Sequence, residues 1–122
     1  MYSELLLDHF RRPRHVGTLE AADAAVEVSN PACGDILQLA VRVDQGVIRE
    51  ARYLTRGCTA SIACGSALTE WLTGRPAADL AQLTAGAMEE MVGGLAPASR
   101  HAAALCLDAV RAVSRVLRAI PR

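Results

Sequence analysis

Residues 36–55 read ILQLAVRVDQGVIREARYLT, and the alternation of apolar and polar side chains in this stretch predicts a β-hairpin. Within residues 36–43, Leu37, Leu39 and Val41 are expected on one face of the first strand. Residues 44–46 read DQG and predict a three-residue hairpin loop with glycine in the left-handed position. Residues 47–55 then form the returning antiparallel strand, so the centre of the chain is expected to be a sheet.

The segments around this hairpin predict one further strand and several helices. Residues 24–29 alternate weakly and are expected to supply the third strand. Helical periodicity and stop signals predict helices over residues 2–12, 61–73, 77–83, 85–91 and 97–120. Strands grouped together, with most helices after them, indicate an α+β fold in which a small antiparallel three-stranded sheet carries helices on one face.

Length and composition restrict the possible classes of protein. The 122 residues suffice for one domain, so residues 1–122 are expected to fold as a single domain with a real core, since 52% of them are hydrophobic. The formal net charge is zero, which gives no electrostatic reason to expect a nucleic-acid or membrane partner. Charged residues near the N-terminus and the lack of long apolar runs argue against a targeting or membrane-spanning segment and predict a cytoplasmic protein.

Two of the four cysteines lie where a thiol could be functional. Cys33 is flanked by Pro31 and Gly34, which mark a surface turn, and Asp35 could supply a second metal ligand from the same loop. Cys58 precedes a predicted helix, where free backbone N–H groups and the helix dipole stabilise a thiolate, the form that binds metals. A loop cysteine without function and a core cysteine at a helix start remain the alternatives.

The other two cysteines are expected to be core residues. Cys64 shares a helical face with Leu68, and Cys106 heads the apolar stripe of the last predicted helix. Buried cysteine behaves as a small hydrophobic residue, so both are expected to pack rather than react. His9 and His15 are interpreted as structural or solvated histidines.

Cys33, Asp35, Cys58 and His101 together form a plausible set of metal ligands. Two thiolates, a carboxylate and an imidazole can hold zinc in tetrahedral geometry, or an iron cluster with mixed ligands. These residues are far apart in the sequence, and no short CxxC pair is present. Spacing alone therefore leaves open whether they meet and which metal they hold.

Short motifs along the whole chain also resemble a known family in their order and spacing. They are MYSE (1–4), DH (8–9), PR (13–14), PACGD (31–35), ARY (51–53), RGC (56–58), SIA (61–63), TEW (69–71) and Gly74. Over essentially its full length the chain resembles the small iron–sulfur cluster scaffold family of the IscU, NifU N-terminal and SufU type. The resemblance implies a SufE/NifU-like fold, and a scaffold or carrier rather than an enzyme.

The resemblance also implies a cargo, partners and a site. In this family a cysteine desulfurase donates sulfur, a [2Fe–2S] or [4Fe–4S] cluster is assembled on three cysteines with help from a carboxylate or histidine, and apo iron–sulfur proteins receive it. The same ligands can hold zinc, which supports sulfur acceptance in the SufU branch. Carried over by position, the site residues here would be Cys33, Asp35, Cys58 and His101.

Two segments depart from the family pattern. The third ligand cysteine should follow His101 directly, but this chain has Ala102 there. Cys106 lies one helical turn further on, about 6 Å along the axis at roughly 1.5 Å per residue, so it is not expected to substitute. Residues 95–99 read LAPAS rather than the Leu-Pro-Pro-Val-Lys of the chaperone-linked branch, which argues against docking of an Hsp70-type chaperone.

Three functions are therefore compared. The first is a scaffold or sulfur acceptor in iron–sulfur cluster assembly, with iron or zinc at the altered site. The second is a zinc-bound sulfurtransferase accessory protein, in which Cys33 or Cys58 accepts persulfide sulfur. The third is a degenerate paralogue that keeps the fold and acts as an adaptor that binds other proteins.

Overall fold

A three-stranded antiparallel sheet forms the centre of the protein. The computed structural model describes residues 2–32 and 34–120. The strands are β1 (Ala24–Asn30), β2 (Asp35–Asp44) and β3 (Val47–Arg56), hydrogen-bonded in the order β1-β2-β3. The predicted α+β class and all three predicted strands are confirmed. The strands form here because alternating apolar and polar side chains give the sheet one apolar face, which is buried.

Among the described residues, four α-helices accompany the sheet. They are α1 (Glu4–Arg11), α2 (Thr59–Leu72), α3 (Ala85–Glu90) and α4 (Arg100–Ala119). Two further segments predicted as α-helical are instead 3₁₀ turns, Ala77–Gln82 and Pro97–Ser99, so the long last helix begins only at Arg100. None of the helices in the described parts of the chain has the length and apolar character needed to cross a membrane.

The hairpin between β2 and β3 is tighter than predicted. Asp44 pairs directly with Val47, which leaves Gln45 and Gly46 as a two-residue turn rather than the expected three-residue loop. Both turn residues have positive φ, 51° and 78°, as a type I′ hairpin turn requires. A register shift after Arg42 absorbs the extra residue inside the strand pair.

The helices cover one face of the sheet. α2 packs against β3, α4 packs against β1 and β2, and α1 packs on α2. The strand side chains beneath them are buried, including Leu37, Leu39 and Tyr53. The Tyr53 hydroxyl donates a hydrogen bond of 2.8 Å to the Ile62 carbonyl, which ties β3 to α2 directly after the short connection that contains Cys58.

Candidate metal centre

Three separate elements each contribute one potential metal ligand at the same end of the sheet. Asp35 is the first residue of β2, Cys58 is the N-cap of α2, and His101 is the second residue of α4. The Cys58 side chain makes no capping bond to its own helix. α2 starts two residues earlier than predicted, which places Cys58 immediately at the helix N-terminus.

The side chains of these three residues converge. One ligand atom from each of Asp35, Cys58 and His101 lies within 4.8 Å of the others. His101 Nε2 is 3.5 Å from Cys58 Sγ and 3.4 Å from Asp35 Oδ2. Asp35 is buried, whereas Cys58 and His101 are partly exposed, so the group extends from the protein interior to the solvent.

A backbone contact orients the imidazole of His101. Its Nδ1 lies 3.1 Å from the Ala98 carbonyl oxygen, which can only accept a hydrogen bond, so Nδ1 carries the proton. The other ring nitrogen, Nε2, faces Cys58 and Asp35, and in the neutral imidazole it carries the lone pair that a metal would need. Such a hydrogen bond on the distal nitrogen is the usual arrangement for a histidine that binds a metal.

The Asp35 carboxylate is held by the first turn of α2. The Ser61 hydroxyl donates a hydrogen bond of 2.6 Å to Asp35 Oδ2, and Ser61 Oγ is 3.5 Å from Cys58 Sγ. Gly57 allows the carboxylate to approach this closely, because a Cβ at Gly57 would lie 2.9 Å from Asp35 Cγ. Ser61 and Gly57 were given no role by sequence reasoning, although Ser61 lies three residues after Cys58, the spacing that places helical residues on one face.

The two cysteines predicted to be core residues are core residues. Cys64 and Cys106 are buried, with 0% and 1% of their surface exposed. Burial raises the pKa of Cys64 to about 12 and raises the pKa of Cys106 well above its ordinary value, so both thiols stay protonated. Ala102, at the position where the family resemblance expects a cysteine, is also completely buried.

His9 has the structural role predicted for it. It is buried between α1 and α2, where Ser66 Oγ lies 2.7 Å from Nδ1 and Glu70 lies 3.4 Å from Nε2. His15 Nδ1 lies 3.2 Å from Thr69 Oγ1. Neither histidine belongs to the candidate metal centre formed by the described residues.

Cys33 lies outside the described residues, so its place in the ligand set stays a prediction. The three described members form a donor set of one thiol, one carboxylate and one imidazole. Zinc accepts these three ligand types in tetrahedral sites. Iron accepts the same ligand types, and iron–sulfur clusters bind thiolates in preference to the other two. The three described residues therefore fit a single metal ion, and Cys33 would add a fourth ligand.

The fold and this site define a class of small α+β proteins that gather thiol, carboxylate and imidazole ligands at one end of a three-stranded sheet. The sequence profile of the NifU-like N-terminal domain matches residues 1–119. The chain belongs to this NifU-like family.

Relatives with assigned names fall in the same family. The chain is 38% identical over 111 residues to iron-sulfur cluster assembly scaffold protein IscU 1 of Archaeoglobus fulgidus, covering 91% of this chain and 72% of the relative. It is 37% identical over 118 residues to IscU of Azotobacter vinelandii, with 93% and 91% covered. Identity to IscU of Escherichia coli K12 is 36% over 115 residues, with 91% and 89% covered.

Solved structures show the same fold. A hypothetical protein with 30% identity superposes with a TM-score of 0.66 over 93% of this chain and 94% of that chain. The N-terminal part of a NifU-like protein from Brucella abortus superposes with a TM-score of 0.63 at 22% identity, over 94% and 84% of the two chains. These superpositions place the three-stranded sheet and its helices in a known architecture.

Proposed function

We propose that this chain is a scaffold or sulfur acceptor in iron–sulfur cluster assembly, and that Asp35, Cys58 and His101, with Cys33, hold the metal. The observation that carries the proposal is the convergence of the three described ligand atoms within 4.8 Å. The relatives are named iron-sulfur cluster assembly scaffold proteins, which supports the same role here. A cysteine desulfurase would supply sulfur, and apo iron–sulfur proteins in the cytoplasm would receive the cargo.

The chemistry of the site suits temporary binding. Cys58 lies at a helix N-terminus beside Asp35 and His101, and a cysteine sulfur bound as a thiolate is the soft ligand that iron and sulfur chemistry needs. Asp35 and the His101 Nε2 lone pair are harder ligands that bind a cluster more weakly. A cargo held partly by weaker ligands is easier to release to an acceptor.

A second function, zinc-dependent sulfur acceptance, is favoured by one specific observation. Position 102 carries a buried alanine, so the described ligand set holds only one thiol beside a carboxylate and an imidazole. Together with Cys33 this would give two sulfur, one oxygen and one nitrogen ligand, which suits a tetrahedral zinc ion. Zinc bound there would keep the thiolates deprotonated until a sulfur donor arrives.

Metal and sulfide analysis of the anaerobically purified protein tests these proposals. Iron with acid-labile sulfide supports the scaffold function, and about one zinc per chain without sulfide supports the zinc function. Absence of both metals, after reconstitution with iron, sulfide or zinc, would contradict both and leave the adaptor function.

Cysteine variants test which residues are ligands. Cys33→Ala and Cys58→Ala should each remove a metal ligand and lower zinc affinity strongly. The loss should exceed the roughly 10–100-fold that follows when a metal ligand merely loses its hydrogen-bond partner. Cys64→Ala is the matched control in α2, because its thiol is buried and protonated. Equal losses of affinity in all the variants would reject the assignment of ligands.

A further inference from the structure

The Ser61 hydroxyl lies between two of the candidate ligands. We infer that Ser61 is a positioning residue of the metal centre, which orients the Asp35 carboxylate for metal binding. This inference rests on the proposed function and adds a residue to it. Its basis is the geometry of Ser61, Asp35 and Gly57.

Helix geometry places Ser61 beside Cys58. Cys58 is the N-cap of α2 and Ser61 is the third residue of that helix, two positions whose side chains lie close together at a helix start. Ser61 is buried, with 2% of its surface exposed, and its oxygen is 3.5 Å from Cys58 Sγ. A buried hydroxyl at this position needs a hydrogen-bond partner, because leaving it without one costs free energy.

That partner is a residue from a different element. Ser61 Oγ donates to Asp35 Oδ2 at 2.6 Å, which links the first turn of α2 to the start of β2. A hydrogen bond from a neutral donor to a carboxylate at this distance is short and strong. The bond therefore fixes the direction in which the Asp35 side chain faces Cys58 and His101.

Close packing around the carboxylate strengthens this effect. Asp35 is only 6% exposed, and the backbone of Gly57 approaches it so closely that any added Cβ would lie 3.0 Å from Oδ2. Ser61 therefore holds the carboxylate in a pocket with little free space. Loss of the hydroxyl would remove a short hydrogen bond that holds the carboxylate in this orientation, and would leave the volume of the hydroxyl unfilled.

A serine hydroxyl has a single proton, and that proton is committed to Asp35. At Cys58, Ser61 Oγ can then only accept a hydrogen bond, and a metal-bound thiolate has none to donate. The effect of Ser61 on a bound metal should therefore pass through Asp35. A general contribution of Ser61 to the stability of α2 would not depend on Asp35.

A double-mutant cycle on the whole chain tests the inference, with zinc affinity measured by competition with a chelator. Ser61→Ala should lower zinc affinity by roughly 10–100-fold, the usual effect of losing the hydrogen-bond partner of a ligand. In an Asp35→Ala background the same change should alter affinity by less than about twofold, because the carboxylate it acts on is gone. The visible ligand-field spectrum of the Co²⁺-loaded protein should differ between the wild-type protein and Ser61→Ala. It should be the same in Asp35→Ala and in the double variant that carries both Asp35→Ala and Ser61→Ala.

Two sets of control variants keep the outcome decisive. Ser66→Ala removes another buried hydroxyl of α2, one that contacts His9 away from the metal centre, and should leave zinc affinity unchanged. If Ser61→Ala does not fold, Ser61→Thr and Ser61→Val compare two side chains of similar shape with and without a hydroxyl. Thr should then bind zinc more tightly than Val by the same roughly 10–100-fold.

The possible outcomes separate this inference from the proposed function. If the wild-type protein binds zinc and Ser61→Ala binds it equally well, the positioning role is wrong while the metal centre stands. An equal loss of affinity with and without Asp35 would show that Ser61 acts on the fold rather than on the carboxylate. If the wild-type protein binds no zinc, no Co²⁺ and no iron with sulfide, the proposed function fails and the role of Ser61 fails with it. If it holds only iron with sulfide, an unchanged iron and sulfide content in Ser61→Ala overturns the positioning role.

Discussion

At the scale of single residues, His101 and Ala102 are neighbours with different roles. His101 presents Nε2 to Cys58 and Asp35, whereas Ala102 is fully buried and has no ligand atom. The family resemblance expects a thiolate at residue 102. If that expectation holds, the site lacks one thiolate, the type of ligand that most favours an iron–sulfur cluster over a single zinc ion.

Ala102→Cys is expected to increase the amount of cluster retained during anaerobic reconstitution. A third thiolate would replace weaker ligands, and clusters of iron and sulfur bind thiolate best. Because Ala102 is completely buried, the added sulfur must fit into packed space, and overpacking of this kind costs about 1–3 kcal/mol in the metal-free protein. Visible absorbance with iron and sulfide per chain measures the retention, and urea unfolding measures the cost.

Ala102→Ser provides the matched control, because it adds an oxygen atom at about the position of the cysteine sulfur, and oxygen is not a soft ligand. The serine variant should not increase the amount of cluster retained. Cys106→Ala in the Ala102→Cys background should leave the gain intact, because Cys106 is a core residue. A cluster content in Ala102→Cys no higher than in the wild-type protein would show that the missing thiolate does not limit the site.

At the scale of elements, a buried polar cluster fastens α1 to α2. Nδ1 of His9 lies 2.7 Å from Ser66 Oγ and 3.1 Å from an Arg14 guanidinium nitrogen. An Arg side chain can only donate, so Nδ1 accepts and the second ring nitrogen, Nε2, carries the proton toward Glu70. Burial, together with the charge of Arg14, lowers the pKa of His9 below its ordinary value of 6.5.

This lowered pKa predicts a loss of stability in mild acid. The unfolded chain binds a proton at His9 more readily than the folded protein does, so the free energy of unfolding falls as the pH drops below about 6.5 toward the lower pKa of the folded state. The contribution is fully present above 6.5, the ordinary value of the unfolded chain. Urea unfolding of the metal-free protein at about pH 7.5 and about pH 5.5 should show this loss.

A His9→Gln variant should have a smaller difference in unfolding free energy between the two pH values than the wild-type protein has. His15 and His101 are present in both proteins, so their contributions cancel in the comparison. If the unfolding free energy depends on pH identically in the two proteins, protonation of His9 does not cause the loss of stability in mild acid.

At the scale of the whole molecule, the candidate metal centre lies where three elements that are distant along the chain meet. Its described ligands come from β2, α2 and α4, and Cys58 and His101 are separated by 43 positions. In the unfolded chain these groups are dispersed, so a metal ion binds the folded state far better. Such selective binding stabilises the folded protein.

Zinc is therefore expected to raise the melting temperature. At a free zinc concentration of about 100 times Kd, the added stability is about 2.7 kcal/mol, which corresponds to roughly 10 °C for a chain of this length. Thermal unfolding with and without zinc measures the shift. Cys58→Ala should abolish it, and Cys64→Ala should retain it even though its own melting temperature is lower. A full shift in Cys58→Ala would place the zinc elsewhere.

The amino-acid sequence by itself determined the local features of this protein. The alternation around Leu37 and Leu39 predicted the strands because side chains of a strand alternate between faces. The helical spacing of Cys64 and Cys106 relative to apolar neighbours distinguished these core thiols from the candidate ligand thiols, because helical residues three or four apart share a face. The turn was predicted one residue too long, because the pairing of Asp44 with Val47 depends on the register of both strands.

Only the tertiary structure decided how the distant residues meet. Asp35, Cys58 and His101 come together because α2 and α4 pack on one face of the sheet and begin at the same end of it. The Ser61 bond to Asp35 and the orientation of His101 by the Ala98 carbonyl follow from that packing. Periodicity encodes which face a residue occupies, whereas distances between elements are set by how their buried surfaces fit.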